Sequence, residues 1–116
     1  MASKLIEDLQ PVMQPHARAF KAACDVAGLP VLIYCTLRTL EEQAALYAQG
    51  RSVPGRKVTN APPGSSAHNF GLALDAVPLW NRYGTCARLA GLEWAGDWTR
   101  FREFPHVQMP NWRNYT

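Results

Sequence analysis

The longest apolar stretch in this chain, Leu29 to Cys35, is seven residues. That suffices for one buried strand and falls far short of the roughly 18 residues a membrane span requires. Everywhere else glycine and proline cut the sequence into short pieces: Gly28 and Pro30, Gly50, Gly71, Gly91 and Pro105. A chain punctuated in this way must fold from short helices and strands. Glu7 and Asp8 stand where a secretory leader would need an apolar core, so no signal peptide is expected and synthesis in the cytoplasm is.

The 116 residues predict one domain over 1–116, with about two-thirds of the chain's surface buried. Hydrophobic residues are 47 % and charged residues 18 %, which excludes a disordered chain and a coiled coil. Net charge is +3, and nine of the twelve basic residues are Arg. The balance favours anionic partners without choosing among nucleic acid, phosphorylated lipid and acidic wall polymer. Cys24, Cys35 and Cys86 are odd in number and form no CxxC pair, so reduced, buried thiols are expected.

Apolar positions Phe20, Ala23, Cys24 and Ala27 follow helical spacing and predict a helix over 12–27, stopped by Gly28. Residues 31–37 are rich in β-formers and read as a buried strand. Thr39-x-x-Glu42 is a capping box that opens a second helix, with Leu40, Ala44 and Tyr47 as its expected inner face and Gly50 as its end. Residues 51–66 hold two glycines and three prolines together with Arg51, Arg56 and Lys57. Loops of that length in small domains are often functional. Further elements are expected at 72–77 (strand), 85–89 (helix) and 106–109 (strand). The aromatic tail, Trp94, Trp98, Phe101 and Phe104, reads chiefly as core. The fold class expected is α+β, a small and mostly antiparallel sheet with packed helices.

Two of the three histidines keep unusual company. His68 precedes Gly71, Ala73 and Asp75, and His106 follows Glu103 and Pro105. With Asp75 on a strand, Ala73 shares its face and leaves room beside an inward-pointing carboxylate. Two imidazoles and one carboxylate form a catalytic zinc set that leaves a fourth position for water. Zinc lowers the pKa of the water it holds from ~15.7 to ~7, and a free glutamate such as Glu103 is then a competent base. The spacing also admits an ordinary hydrogen-bonded histidine, and no HExxH motif supports a metal. His16, with no acidic neighbour in sequence, fits that structural reading.

Taken in order, Ser66-x-His68-x-x-Gly71-x-Ala73-x-Asp75 and Glu103-x-Pro105-His106 resemble the signature of the zinc D-Ala-D-Ala peptidase superfamily. Its fold is also that of the hedgehog signalling domain. Arg38-Thr39-Leu40-Glu41-Glu42-Gln43, Leu46 to Arg51 and Gly91 to Trp98 resemble its phage-endolysin branch, the L-alanyl-D-glutamate endopeptidases. The resemblance spans Pro30 to Gln108, about two-thirds of the chain. It implies zinc on His68, Asp75 and His106, Glu103 as catalytic base, Arg38 as substrate anchor or transition-state stabiliser, and Ser66 on the substrate. It departs from the family at Leu37, where glycine is frequent, and at Val107, where an aromatic is frequent.

The reaction implied is hydrolysis of the L-Ala–D-Glu bond of peptidoglycan stem peptides. D-Glu is linked onward through its side chain, so its α-carboxylate is free for a guanidinium such as Arg38 to grip. A terminal D-Ala-D-Ala offers a carboxylate too. A D-alanyl-D-alanine dipeptidase or carboxypeptidase is therefore the nearest alternative, and a non-catalytic zinc-stabilised binding module the next. Arg38 also reads as a surface residue at a strand end, and Asp97 either as an outer partner of a ligand histidine or as a turn cap. Glu93 does not match the position of the base. The setting implied is a monomeric phage or prophage endolysin with no nucleic-acid partner, released from the host cytoplasm to act on a thin Gram-negative wall.

Overall fold

A computed structural model describes residues 2–78 and 82–116. Four strands form one antiparallel sheet in the order β1-β2-β4-β3: β1 is Leu32–Cys35, β2 Ala73–Val77, β3 Glu93–Trp94 and β4 His106–Gln108. Three α-helices join it, α1 (Gln14–Val26), α2 (Leu40–Ala48) and α3 (Tyr83–Leu89). The α+β expectation holds. The small strand β3 and the 3-10 turns at Ala67–Phe70 and Ala95–Asp97 carry no periodicity and escape a sequence reading.

One face of the sheet is the core. Met13, at the N-cap of α1, and Ala17, Phe20 and Cys24 along one side of the helix are fully buried. They pack with Leu72, Leu74, Val107, Ala87 and Leu92 in a single hydrophobic cluster. Phe20 meets Tyr83 of α3 edge-on, ring centroids 5.2 Å apart, and the Tyr83 hydroxyl donates to the carbonyl of Pro105, just before β4. His16 Nδ1 donates to the Ala90 carbonyl at 2.7 Å and ties α1 to the end of α3, the structural part expected of it. Val107 sits in this core opposite Leu74, so its departure from the family pattern concerns packing and not the site.

The other face carries polar groups, and register decides which. Asp75 pairs with His106 across β2 and β4, and Glu93 pairs with Gln108 across β3 and β4. Directly opposed residues in an antiparallel pair share a face. On β1 the register shifts: Ile33 faces Ala76, yet Cys35 faces Asp75. The extra residue, Tyr34, makes a bulge, and a bulge re-aims the side chain after it. Ile33 therefore joins the core while Cys35 turns toward Asp75.

The Thr39 capping box forms as expected: its hydroxyl accepts from Glu42 N, and Glu42 Oε1 accepts from Thr39 N at 2.8 Å. The inner face expected for α2 does not form. Leu40 and Ala44 are exposed, and the one fully buried side chain of the helix is Gln43. Helix α2 lies beside the site, where the bonds to be made are polar. The aromatic tail divides likewise. Trp94 packs against the core, whereas Phe101 and Phe104 are about 40 % exposed and, with Trp98, border the cleft below.

Candidate metal and catalytic site

His68 rides on the 3-10 turn Ala67–Phe70. Ser66 caps that turn, its hydroxyl accepting from His68 N, and Gly71 ends it at φ +69°, where a Cβ would lie 2.9 Å from Gln10 N. This turn hands the chain directly into β2 and Asp75. Pro105 leads into β4 and His106. All three side chains are buried.

Three donor atoms converge. His68 Nε2 to Asp75 Oδ1, His106 Nδ1 to Asp75 Oδ1, and His106 Nδ1 to His68 Nε2 are each 3.2 Å. Ligands at three corners of a zinc tetrahedron with bonds of ~2.0–2.1 Å stand ~3.3 Å apart. The triangle has the right size. Its protons are also placed for a cation. His68 Nδ1 lies 2.7 Å from the Thr36 carbonyl, and His106 Nε2 lies 2.7 Å from Gln108 Oε1. Carbonyl oxygens only accept, so each outer nitrogen holds an N–H, and in the neutral ring the inner nitrogen then presents a lone pair. Two lone pairs and a carboxylate oxygen in one small triangle repel unless a cation joins them. The residues fit a divalent metal, and the two-nitrogen, one-oxygen set suits zinc.

Outer hydrogen bonds hold the candidate ligands in place, as a metal site would require. Gln108 Nε2 donates to Glu93 Oε2 at 3.1 Å, and Trp98 Nε1 donates to the same oxygen at 2.9 Å. Glu93, which fails the spacing of a base, thus braces His106 through Gln108. Asp97 does not play that part: its carboxylate pairs with Arg88 at 2.8 Å on the surface. Gln108 was legible in principle, because two residues along a strand return to the same face. Thr36 and Gln43 left no such trace.

Arg38 stands behind the Asp75 carboxylate. Its Nη2 is 3.5 Å from Asp75 Oδ2 and 3.4 Å from Cys35 Sγ, and Nη1 donates to Gln43 Oε1 at 2.8 Å. Gln43 in turn donates to the Ala61 carbonyl, binding α2 to the long loop. Cys35, His68 and Asp75 also form a close group. The thiol lies 3.7 Å from His68 Nδ1, the nitrogen committed to Thr36, so it backs the ring instead of closing the triangle. Burial pushes this thiol up, against the pull of Arg38. Cys24, Cys35 and Cys86 are all free and buried, as expected.

Burial also works on the acids and imidazoles. It drives His68 down. At Asp75 burial is overcome by the facing His68 and His106, which hold the carboxyl below its ordinary range. At His106 burial is overcome by Asp75, and the ring moves up. Glu103 is pushed up by burial, with His106 pulling the other way. No side-chain hydrogen bond engages the Glu103 carboxylate among the described residues.

Glu103, Arg38 and His106 line two adjoining hollows. One, of about 370 Å³, is bordered by Ser66, Asn60, Trp98 and Trp112. The other, of about 630 Å³, is bordered by Tyr34, Arg56, Lys57 and Arg102. Of the predicted site residues, Arg38, Glu103 and His106 line both hollows, Ser66 the smaller and Asp75 the larger, while His68 lies buried behind them, 3.2 Å from Asp75.

Three such donors on one sheet face, beside a glutamate whose carboxylate is unengaged, are what a hydrolase of the metallopeptidase kind would need. Residues 6–99 match the family model VanY, D-alanyl-D-alanine carboxypeptidase, and the chain belongs to that family. It is 38 % identical to the peptidoglycan L-alanyl-D-glutamate endopeptidase CwlK of Bacillus subtilis, over 90 % of this chain and 75 % of that protein. It is 36 % identical to the L-alanyl-D-glutamate peptidase of Listeria phage A118 over 76 % of this chain, which spans only 33 % of that longer protein. In fold it resembles the Serratia marcescens L-Ala D-Glu endopeptidase ChiX (TM-score 0.67, 22 % identity, 95 % of this chain and 86 % of that one). It likewise resembles a zinc(II) complex of the vancomycin-resistance D,D-pentapeptidase VanY (TM-score 0.66, 17 % identity, 87 % and 72 %).

Proposed function

We propose that this protein is a zinc-dependent endopeptidase that hydrolyses the L-Ala–D-Glu bond of peptidoglycan stem peptides. The observation that carries the reading is the triangle of His68 Nε2, Asp75 Oδ1 and His106 Nδ1, each side 3.2 Å, beside a glutamate whose carboxylate has no hydrogen-bond partner among the described residues. Two relatives named for that bond, each more than a third identical, support the substrate.

In this reading His68 Nε2, Asp75 Oδ1 and His106 Nδ1 hold the ion. Zinc held there would supply the positive charge that polarises a carbonyl and lets a water lose its proton near neutral pH. Glu103 takes the proton from that water and returns it to the leaving amine. Its raised pKa helps it hold the proton between the two transfers. Arg38, which lines both hollows, receives the free α-carboxylate of D-Glu or the developing oxyanion. Ser66, already the cap of the His68 turn, contributes a hydroxyl to the substrate wall. The chain serves as one catalytic domain over residues 1–116.

No helix among the described residues is long and apolar enough to cross a membrane. We extend the proposal to the setting: a monomer without nucleic-acid partners, made in the cytoplasm of a phage-infected host and released to the wall.

The test is digestion of purified Gram-negative peptidoglycan by zinc-loaded protein and by a chelator-treated control, with fragments read by mass spectrometry. Stem peptides beginning at D-Glu, absent with chelator, are expected. Release of D-Ala or D-Ala-D-Ala would replace the substrate, and an intact wall despite bound zinc would leave only a binding module.

A further inference from the structure

His68 is held by more than its own turn. Thr36, whose carbonyl faces His68 Nδ1 at 2.7 Å, is fully buried and tied down elsewhere too. Its N–H donates to the Ser3 carbonyl at 2.7 Å, and its hydroxyl donates to the Leu5 carbonyl at 2.9 Å. The Leu37 carbonyl accepts from Ser3 N at 3.0 Å, so residues 3–5 run beside residues 36–37 on backbone hydrogen bonds. Ser3 also secures its own segment: its hydroxyl accepts from Leu5 N at 3.1 Å and donates to the Asp8 carboxylate. After the 3-10 turn Ile6–Asp8 the same segment reaches the far end of the His68 turn. Gln10 N donates to the Gly71 carbonyl at 3.0 Å, and Gln10 Nε2 to the Phe70 carbonyl at 2.8 Å. The approach is close: a Cβ at Gly71 would meet Gln10 N, Leu9 Cα and Asp8 O at 2.9, 3.3 and 3.4 Å.

We propose that residues 3–10 are a clamp that positions His68 for the metal, with Thr36 and Gln10 as its two positioning residues. One arm acts on the ring through the Thr36 carbonyl, and the other on the backbone of the turn through Phe70 and Gly71. Ser3, Leu5 and Gln10 line neither hollow, so the clamp works without touching substrate. A 3-10 turn is short and its internal hydrogen bonds are poor, so it does not fix a side chain by itself. The orientation of His68 has to come from outside the turn. Whatever holds the ring ready for a cation raises the affinity for that cation, and the cation must tighten the clamp by the same factor. The inference rests on the metal site proposed above and not on which peptide bond is cut.

The test reads zinc binding, not turnover. Thr36→Val keeps the carbonyl that faces His68 and loses only the hydroxyl bond to Leu5. Loss of one hydrogen bond is expected to weaken zinc about 2- to 10-fold, measured by competition with a chromophoric chelator. Thr36→Ser, which keeps the hydroxyl, is expected to restore the wild-type affinity. Gln10→Met acts from the other arm and is expected to weaken zinc by a similar factor. A segment with a merely structural part would lower the melting temperature of the metal-free variants and leave zinc affinity unchanged, and that result would overturn the clamp. Hydrogen exchange on the wild-type protein decides the matter should a variant fold poorly. Reciprocity predicts that zinc slows the amides of Ser3, Gln10 and Thr36 by about threefold or more relative to those of Ala27 and Gly28 at the end of α1. Equal slowing at both places would overturn the proposal. A wild type that takes up no zinc would sink the metal site and the clamp together, whereas release of D-Ala from the wall would change only the bond assignment.

Discussion

Gln108 accepts a hydrogen bond from His106 Nε2 at 2.7 Å, and that bond decides which nitrogen of His106 faces Asp75. Glu93 holds Gln108 in turn, 3.1 Å away. Removing an outer partner of this kind typically lowers metal affinity 10- to 100-fold. Gln108→Leu is therefore expected to weaken zinc by that factor, read by competition with a chromophoric chelator. Unchanged affinity would show that the ring needs no bracing.

Zinc is expected to stabilise the fold, since the triangle exists only in the native chain. Free metal at 100 times its Kd contributes about 2.7 kcal/mol. Chelation should lower Tm accordingly and abolish wall digestion, and His68→Ala should remove the metal dependence of Tm altogether. A melting curve indifferent to zinc in the wild type would contradict the site.

Glu103→Gln separates chemistry from binding. Loss of a general base costs about 10²- to 10⁴-fold in turnover. Zinc stoichiometry should stay at the wild-type level, since the carboxylate lies outside the triangle, and loss of metal would make Glu103 a ligand.

The same residue predicts a pH dependence of stability. Its folded pKa is raised by burial, so the native state favours the protonated acid. The stability this contributes is present below the unfolded pKa, about 4.3, and is lost as pH rises through the folded value. At neutral pH the ionised, buried carboxylate opposes folding. Metal-free Glu103→Gln should thus melt above metal-free wild type near pH 7, and the gap should close toward pH 4. A gap that widens on acidification would reverse the sign.

Trp94 lies in a slot between two glycines. A Cβ at Gly84 would fall 2.3 Å from its ring, and one at Gly96 2.1 Å. Its indole N–H donates to the Phe104 carbonyl at 2.8 Å, close to Glu103. Gly84→Ala or Gly96→Ala should destabilise by about 1–3 kcal/mol, the range for overpacking, in denaturant titration. Displacement of the ring should also disturb the segment that carries Glu103, so kcat is expected to fall with stability.

Much of this site was readable one residue at a time. His68, Asp75, Glu103 and His106 stand in short motifs whose local geometry is fixed by Gly71 and Pro105. The Thr39 capping box is a contact between residues three apart, and a sequence displays such contacts directly. The inner face of α2 misled because apolar spacing predicts burial only where the neighbouring surface is apolar. Here the neighbours are Arg38 and the Ala61 carbonyl, and Gln43 answers both. Phe101 and Phe104 misled for a related reason: an aromatic side chain reads as core until a cleft is known to lie beside it.

By itself, then, the sequence determined the donor types, their order and the turns that present them, because those depend on bonds between near neighbours. Tertiary structure alone decided the triangle. Its sides join residues 7, 31 and 38 positions apart, brought to 3.2 Å by the register of β2 on β4 and by the turn that leads into β2. It also decided the orientation of His68, whose Nδ1 meets the Thr36 carbonyl 32 positions away, whereas the partner of His106 is Gln108, two residues on along the same strand. The division has one physical cause. Local propensity acts over a few residues, whereas a metal site is sensitive to tenths of an ångström between atoms that only the packed sheet can bring together.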